Sequence, residues 1–275
     1  MPFVYLEVSC MSILFFDIDN TLFSHRTSTI PKSTMEALRK AKENGHYLVL
    51  CSGRGFSGIV DFYDPKLFDG AVCSSGGNLV WKNQSVTSHP IPDSLIFRLI
   101  ELAEIHESGL CLQGEDCSWI SEDVLEIIRH GQKRETYTKR LHIHRLQEYH
   151  GEKIFKLDYF FPDLKHALAM LEEVPSGLEV CKLLKDVGFG SGCEITAEGV
   201  NKGTGIRELL QYLNADISDS YGFGDSENDL EMLKACGTGI AMGNGADSIK
   251  QISDYVTDDI EEDGIFNAMK HFDLI

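Results

Sequence analysis

Apolar runs and helical patterns alternate along the first part of the chain. Residues 13–16 (ILFF) are apolar on both faces, as a strand in a sheet covered by helices on both sides requires. Further strands are predicted at 47–51 (YLVLC) and 69–73 (DGAVC). Between the first two strands, KSTMEALRKAKENGH has apolar residues at helical spacing and a stop at Gly45. Strand, helix and strand at these intervals predict right-handed crossovers in a parallel sheet.

The same alternation returns near the C-terminus. It comprises a helix (KGTGIRELLQYL), a strand (DSYGF), a second helix (NDLEMLKAC) and two further strands (TGIAM and DYVT). The two alternating regions together predict an α/β fold with a Rossmann-like parallel sheet, whose strands come from both ends of the chain.

The middle of the chain has a different pattern. Short hairpin-like strands are predicted in NLVWKNQSVTSHPI, LCLQGEDCSWI, KIFKLDYFF and LEVCKLL, with helices at 93–107 and 164–173. This mixture is typical of an α+β domain inserted into the α/β core. We therefore predict a discontinuous core of residues 1–83 and 189–275 and an inserted cap domain of residues 84–188.

Composition and charge narrow the class of protein. With 275 residues and 43% hydrophobic content, the chain can bury a sizeable core and hold an inserted domain. The formal charge of −18 argues against nucleic-acid binding, because phosphate contacts need clustered Lys and Arg. No apolar segment approaches the ~20 residues of a membrane span. We expect neither nucleic acid nor membrane as a partner.

The N-terminal segment and the cysteines indicate a cytoplasmic protein. The opening MPFVYLEVSCM carries Glu7 and lacks the basic start and long apolar stretch of a signal peptide. The eight cysteines are scattered without a CxxC pair, so reduced core thiols are expected instead of disulfides or zinc ligands. Met11 precedes the first strand, so residues 1–10 are interpreted either as sequence upstream of the true start or as a short added strand.

Polar side chains follow the ends of several predicted strands. They are Asp17 and Asp19 after the first strand, Ser52 after the second, and Asp225 with Asn228 and Asp229 near the C-terminus, with Lys202 at the start of a helix. In an open parallel sheet, ligands bind beyond the carboxyl ends of the strands. Converging carboxylates form an oxygen site suited to Mg²⁺, and a carboxylate facing such a metal can act as a nucleophile.

Four segments in this order carry a family resemblance. DIDNTL, LVLCSGR, NKGTG and GFGDSENDLEML resemble the motifs of the haloacid dehalogenase-like (HAD) superfamily, specifically its Cof-type hydrolases. The resemblance covers essentially the whole chain, including the inserted cap. It implies a Mg²⁺-dependent phosphatase that hydrolyses a small phosphorylated metabolite, such as a sugar phosphate, through an aspartyl-phosphate intermediate.

The resemblance also implies roles for individual residues. Asp17 matches the nucleophile and Asp19 the general acid and base. Magnesium is expected on the Asp17 carboxylate, the Asp19 backbone carbonyl and the Asp225 carboxylate, with Asn228 and Asp229 in support. The expected substrate-binding residues are Ser52, Gly53, Arg54, Lys202 and Asn228. Two positions depart from the usual pattern: Asn20 stands where Gly is commoner, and Ser52 where Thr is frequent.

Three features bear on specificity and leave alternatives open. A cap between Ser52 and Lys202 favours small metabolites as substrates over phosphoproteins. The basic segment 129–145, with six Lys or Arg and three His, is either a solvated helix and loop or a site for a second anionic group. A zinc site at His142 and His144 is the weaker alternative. Arg54 is either a structural arginine or a substrate contact.

The class of enzyme has one close rival. A sugar phosphomutase shares the aspartyl-phosphate chemistry and a similar cap, but returns the phosphoryl group to the substrate. For a phosphatase, the candidate substrates are sugar phosphates, flavin mononucleotide, pyridoxal phosphate and nucleotide monophosphates. Analogy at the level of the fold does not choose among them. The oligomeric state is equally open.

Overall fold

The computed structural model describes residues 11–130, 143–183 and 191–275. The segment 1–10 and most of the basic segment 129–145, including His142, lie outside the described residues. Within the described ranges, every helix is too short or too polar to cross a lipid bilayer.

Fourteen strands are numbered here in chain order within the described residues. They are β1 (Ile13–Phe16), β2 (Tyr47–Cys51), β3 (Gly70–Cys73), β4 (Asn78–Trp81), β5 (Gln84–Ser88), β6 (Gly109–Gln113), β7 (Ser118–Ile120), β8 (Ile143–Arg145), β9 (Lys156–Phe161), β10 (Leu178–Leu183), β11 (Ser191–Ala197), β12 (Ser220–Gly224), β13 (Thr238–Ala241) and β14 (Tyr255–Val256).

The α-helices of the described residues are numbered in the same way. They are α1 (Lys32–Glu43), α2 (Phe56–Ile59), α3 (Asp93–Ile105), α4 (Glu122–His130), α5 (Leu164–Glu173), α6 (Lys202–Leu213), α7 (Leu230–Ala235), α8 (Asp247–Lys250) and α9 (Gly264–His271). The helices predicted in KSTMEALRKAKENGH, at 164–173 and in KGTGIRELLQYL are confirmed, and the segment predicted at 93–107 is helical from 93 to 105.

The chain divides into two compact units. The first comprises the described residues up to Cys51, together with Asp64–Gly70 and Ile206–Ile275. The second comprises Ser52–Tyr63 and the described residues from Ala71 to Gly205. The predicted cap bounds at 84 and 188 follow a change in sequence pattern, whereas this division follows packing, so those bounds stay a prediction.

The first unit contains five parallel strands side by side, in the order β14-β13-β12-β1-β2. All four residues of β1 are buried, because this strand lies between β2 and β12. Phe16 pairs with Phe223 in register, and their rings stack at 4.7 Å between centroids. These strands confirm the predicted α/β fold with a central parallel sheet. The carboxyl ends of β1 and β12 are neighbours, so the residues that follow them start at the same edge of the sheet.

The second unit contains β3 from Ala71 onward, β4 and β5, and a separate six-stranded sheet in the order β10-β11-β9-β6-β7-β8. Alternate residues of β9 share one face of this sheet, and Leu157, Tyr159 and Phe161 on that face are buried in a core with residues of α3 and α5. The Tyr159 hydroxyl donates a 2.6 Å hydrogen bond to the backbone carbonyl of Leu99 in α3, which satisfies this buried polar group.

The opposite face of the same sheet carries polar residues. In β9 these are Lys156 and Asp158, which alternate with the core residues. Lys156 lies opposite Gln113 of β6, and Asp158 lies opposite Glu194 of β11. Residues directly opposite in an antiparallel pair point to the same face, so these four side chains converge.

Candidate active site

Three carboxylates form an acidic cluster in the first unit. Asp17 follows β1, Asp225 follows β12, and Asp229 ends a short 3₁₀ turn (Glu227–Asp229). One oxygen from each lies within 4.8 Å of one oxygen from each of the others, and all three residues are buried. The neighbouring ends of β1 and β12 bring Asp17 and Asp225 together, as the sequence predicts.

Hydrogen bonds from the chain hold two members of the acidic cluster. The Asp229 Oδ2 atom accepts the backbone N–H groups of Asp225 (3.0 Å) and Ser226 (3.1 Å). The Thr21 hydroxyl donates to Asp225 Oδ1 at 3.2 Å. A side chain at Gly224 would place its Cβ 2.6 Å from Asp229 Cβ, so only glycine allows this loop to fold back. These contacts fix the position of Asp229 within the loop.

The donor set of the acidic cluster fits a divalent cation. Three buried carboxylates repel one another at these distances, and a cation between them removes that repulsion. All the donors are hard oxygens, the type that Mg²⁺ prefers, and Mg²⁺ commonly binds one or two protein carboxylates together with substrate phosphate. The structure thus provides a buried acidic cluster that can bind a metal ion.

The carboxylate of Asp19 has a different environment. Its Oδ1 atom lies 2.7 Å from Nε2 of His25, and about a third of each side chain is exposed. Asp19 is not among the three carboxylates of the acidic cluster, and its expected role through its backbone carbonyl stays a prediction. The contact with His25 was not predicted, because His25 lies in a polar loop and no sequence motif connects it with Asp19.

The turn after Asp19 explains one departure from the family pattern. Asn20 has φ 57°, in the left-handed region that Gly adopts freely and Asn tolerates. The Asn244 side chain donates to the Asn20 carbonyl at 2.8 Å and stabilises this turn. Asparagine can therefore replace glycine at this position without straining the loop.

In the second unit, Ser52 begins a compact loop after β2. Ser52 is buried, its backbone N–H donates to the Val72 carbonyl (2.8 Å), and its carbonyl accepts from the Ser75 N–H (3.1 Å). The Ser52 hydroxyl oxygen accepts the Arg54 backbone N–H at 3.2 Å. Because a hydroxyl both accepts and donates, this bond leaves the Ser52 hydrogen for a ligand oxygen.

Lys202 is the first residue of α6 and is buried. The start of this helix is capped by Asn201, whose Oδ1 accepts the Thr204 N–H at 3.0 Å. A Cβ at Gly76 would come 2.3 Å from the Asn201 carbonyl oxygen, so the turn 74–76 packs directly against this helix start. The same turn donates a hydrogen bond to Ser52. Ser52 and the start of the helix that carries Lys202 therefore contact the same turn of the second unit.

That turn has an unusual backbone. Ser74 and Ser75 have φ values of 50° and 55°, and Gly76 follows at 102°. Two consecutive non-glycine residues in the left-handed region are energetically costly, and such conformations concentrate at functional sites. The conformation directs the Ser75 hydroxyl to Glu194 Oε2, at 3.5 Å.

The remaining predicted substrate-binding residues have local partners. Arg54 donates from Nη1 to the Gly58 carbonyl (3.4 Å), and its guanidinium lies 5.4 Å from the centre of the Phe62 ring. These contacts fit the structural alternative for Arg54, and its substrate contact stays a prediction. Asn228 Oδ1 accepts the Ser226 hydroxyl at 2.8 Å, which ties Asn228 to the loop of the acidic cluster.

A second group of charged side chains, here called the ion cluster, lies on the polar face of the six-stranded sheet. Lys156 Nζ lies 3.1 Å from both Asp158 Oδ1 and Glu194 Oε1. Gln113 donates to Asp158 and accepts the Gly55 backbone N–H at 2.9 Å. The ion cluster was missed from the sequence, although KLDYFF does alternate polar and apolar residues.

Burial and charge oppose each other in the ion cluster. Burial disfavours the ammonium of Lys156, but Asp158 and Glu194 outweigh it and raise the pKa of this group. Burial raises the pKa of Asp158; Lys156 opposes this shift and the charge of Glu194 adds to it. Lys156 therefore stays protonated, and Asp158 holds a proton more readily than an exposed aspartate.

Comparison with known proteins identifies the family. The family model described as haloacid dehalogenase-like hydrolase matches residues 14–269, so the chain belongs to that family. A Bacillus subtilis protein, YkrA, provisionally named a phosphatase, is 29% identical over 96% of this chain and 98% of its own length. Pyridoxal phosphate phosphatase YbhA of Escherichia coli is 26% identical over 92% and 95% of the two chains.

A solved structure supports the same assignment. The HAD subclass IIB sugar phosphatase BT4131 is 26% identical, with a TM-score of 0.82 over 96% of this chain and all of that one. These relatives confirm the predicted family and the predicted class of enzyme, a phosphatase. The individual catalytic, metal and substrate roles inferred from the four motifs stay predictions.

Proposed function

We propose that this protein is a Mg²⁺-dependent phosphatase that acts on a small phosphomonoester through an aspartyl phosphate on Asp17. The observation that carries the proposal is the acidic cluster of Asp17, Asp225 and Asp229 at the ends of two neighbouring parallel strands. The family match and the phosphatase names of its relatives support the same chemistry. Asp17 and Asp225 are the residues that would hold the metal, together with the Asp19 backbone carbonyl.

The protein side chains divide the reaction between them. Asp17 attacks phosphorus, and the bond from phosphorus to the leaving oxygen breaks as Asp19 gives that oxygen a proton. Asp19 then accepts a proton from water, which attacks the aspartyl phosphate, releases inorganic phosphate and restores Asp17. The contact of His25 with Asp19 holds the Asp19 carboxylate in one orientation.

Positive charge is required because a carboxylate nucleophile and a phosphate dianion repel each other. Mg²⁺ held by Asp17 and Asp225 would supply such charge when bound. Lys202 contributes an ammonium from the start of α6, and the Ser52 hydroxyl donates to a phosphoryl oxygen. Their association with the same turn of the second unit supports a joint role for the two residues.

The substrate class is proposed from the relatives and from the chain itself. BT4131 is named a sugar phosphatase and YbhA a pyridoxal phosphate phosphatase, and both substrates are small phosphomonoesters. A net charge of −18 makes nucleic acid an unsuitable substrate. A cytoplasmic location is part of the proposal, since phosphorylated metabolites are intracellular compounds.

The test is release of inorganic phosphate from a panel of sugar phosphates, pyridoxal phosphate, flavin mononucleotide and nucleotide monophosphates. We expect release with Mg²⁺ and none in excess chelator. Thermal unfolding measures Mg²⁺ binding independently of activity. Mg²⁺ at 100 times its Kd should stabilise the wild type by about 2.7 kcal/mol. The same Mg²⁺ concentration should leave the stability of Asp225→Asn unchanged. Full activity in chelator contradicts the proposal.

The phosphomutase alternative is separated by its product. Incubation with a hexose 1-phosphate gives free phosphate from a phosphatase and hexose 6-phosphate from a mutase. Accumulation of the 6-phosphate without free phosphate would replace the proposed function by the mutase.

A further inference from the structure

The ion cluster lies beside the loop that begins with Ser52. A Cβ built at Gly53 would lie 3.4 Å from Ser75 Oγ, 3.5 Å from Lys156 Nζ and 3.8 Å from Glu194 Oε1. Further along the loop, the Gly55 backbone N–H donates a hydrogen bond to Gln113, which belongs to the same polar face as the ion cluster. A group on the Cβ side of Gly53 would therefore have Ser75, Lys156 and Glu194 as its nearest side chains.

Contacts within the chain hold the side chains of the ion cluster together. Lys156 spans Asp158 and Glu194, Gln113 orients Asp158, and Ser75 contacts Glu194. The Lys156 side chain is 4% exposed, whereas those of Asp158 and Glu194 are each 17% exposed. Carboxylate oxygens, which accept hydrogen bonds, are thus the parts that solvent or a ligand reaches.

The sign of the charge decides what the ion cluster can bind. With both carboxylates ionised, two negative charges surround one positive charge, and the sum is −1. If Asp158 holds a proton, the sum is zero. In neither state is the cluster positive, so it has no attraction for an anion in either state.

We propose that the ion cluster of Lys156, Asp158 and Glu194, with Gln113 and Ser75, is the leaving-group subsite, and that it selects substrates whose leaving group donates hydrogen bonds and carries no second anion. The proposal rests on the proposed phosphatase function. Hydroxyl and ammonium groups of a leaving group donate to the exposed carboxylate oxygens, whereas a carboxylate or second phosphate is repelled. The basic segment 129–145 predicts the opposite preference, so the two hypotheses are separable.

The test uses three esters that share the 6-phosphate and differ in charge elsewhere. They are glucosamine 6-phosphate (cationic), glucose 6-phosphate (neutral) and 6-phosphogluconate (anionic). Each is measured as a substrate, and as a competitive inhibitor of p-nitrophenyl phosphate hydrolysis. We expect the anionic compound to be at least about tenfold weaker than the neutral one, and the cationic compound to equal or exceed it.

Substitutions assign the selectivity to the ion cluster. Glu194→Gln removes one negative charge and should reduce the discrimination against 6-phosphogluconate by about 5- to 10-fold. The matched control is Glu179→Gln, because Glu179 is exposed and lies on β10 opposite Thr196 of the same β11 strand. This control should keep the wild-type ratio. Asp158→Asn gives a second variant if Glu194→Gln does not fold.

The outcomes separate the two levels of the proposal. Hydrolysis of p-nitrophenyl phosphate with equal or better use of 6-phosphogluconate overturns the leaving-group subsite and leaves the phosphatase intact. Selectivity that changes equally in Glu179→Gln also overturns it. Absence of phosphate release from p-nitrophenyl phosphate and the whole metabolite panel, with Mg²⁺ present, contradicts the proposed function itself.

Discussion

The two units bury carboxylates in different ways. In the ion cluster of the second unit, Asp158 and Glu194 share Lys156 at 3.1 Å, so the chain supplies the cation itself. In the acidic cluster of the first unit, three carboxylate oxygens lie within 4.8 Å of one another, an arrangement that suits a divalent ion from solution. The difference separates carboxylates that the chain pairs with its own cation from carboxylates whose arrangement can bind a cation from solution.

The sources of the two arrangements also differ. The ion cluster uses side chains from three strands of one antiparallel sheet, where direct opposition fixes their spacing. The acidic cluster uses loops at the ends of parallel strands, held by Thr21 and by backbone N–H groups. Loss of the lysine of the ion cluster should therefore lower stability, whereas loss of a carboxylate of the acidic cluster should lower turnover.

The largest expected effect is on turnover. Asp17→Asn should lower kcat by more than about 10⁴-fold, because an amide cannot form the acyl phosphate at a useful rate. The unfolding midpoint without Mg²⁺ should stay equal or rise, since one of three mutually repelling carboxylates is gone. Steady-state phosphate release and thermal unfolding measure the two quantities. The exposed Asp247→Asn is the matched control, and substantial activity in Asp17→Asn would refute its assignment as nucleophile.

The opposite pattern is expected for the lysine of the ion cluster. Lys156→Met leaves two carboxylates at a buried site without their cation and should destabilise the protein by about 3–5 kcal/mol in chemical denaturation. The triple variant Lys156→Met, Asp158→Asn, Glu194→Gln should recover most of that loss, because it buries no unpaired charge. If Lys156→Met alone is as stable as the wild type, the Lys156 ammonium is not needed to stabilise Asp158 and Glu194.

The predictability of the fold follows from the periodicity of each element. The apolar run of β1 and the helical spacing of α1, α5 and α6 were sufficient to find these elements, because burial requires those patterns. Several elements were not predicted, among them α4, α8, α9 and β11. Helix α4 is short and runs into the basic segment, and β11 follows the predicted cap boundary although it pairs with β9 and β10.

The candidate site was only partly predictable for a related reason. Asp17 and Asp225 directly follow strands, so their proximity follows from the parallel order of β1 and β12. The neighbourhood of Gly53, Lys156 and Glu194 depends on contacts between residues far apart in sequence, which no local pattern encodes. Sequence signals thus identify residues that directly follow strands better than residues brought together by contacts between distant segments.

Smaller kinetic effects are expected for Lys202 and Arg54 of the second unit, on kcat and on KM respectively. Lys202→Ala should lower kcat by about 10²–10³-fold, as loss of a group that stabilises transition-state charge does. Arg54→Ala should instead raise KM by about 3- to 10-fold with little change in kcat if Arg54 contacts the ground state and transition state equally. The exposed Arg39→Ala is the control.

The contacts of Arg54 define the competing outcome. If the bond to the Gly58 carbonyl and the Phe62 ring are its whole role, Arg54→Ala lowers the unfolding midpoint and leaves KM unchanged. That result, with Lys202→Ala still impaired, returns Arg54 to a structural role and leaves the ion cluster as the source of leaving-group contacts.

The smallest expected effect concerns a buried histidine of the first unit that belongs to neither cluster. His46 accepts the Ser12 backbone N–H at Nδ1 (3.0 Å), which requires that nitrogen to be unprotonated. Burial lowers the pKa of His46 below its usual value of 6.5, although a hydrogen bond with the Leu274 backbone opposes the shift.

The sign of the pH effect follows from this direction. Between the folded and unfolded pKa values the unfolded chain binds the extra proton, so the contribution of His46 to stability is complete above pH 6.5 and declines as the pH falls toward the folded pKa. The slope is at most about 1.4 kcal/mol per pH unit. His46→Gln, whose amide oxygen can accept from Ser12 without titrating, should remove this part of the slope in denaturation measured from pH 7.5 to 5. The exposed His150→Gln should keep it. An identical slope in wild type and His46→Gln would show that His46 makes no contribution to the acid sensitivity of the protein. Protonation of carboxylates, including those of the acidic cluster, would then account for it.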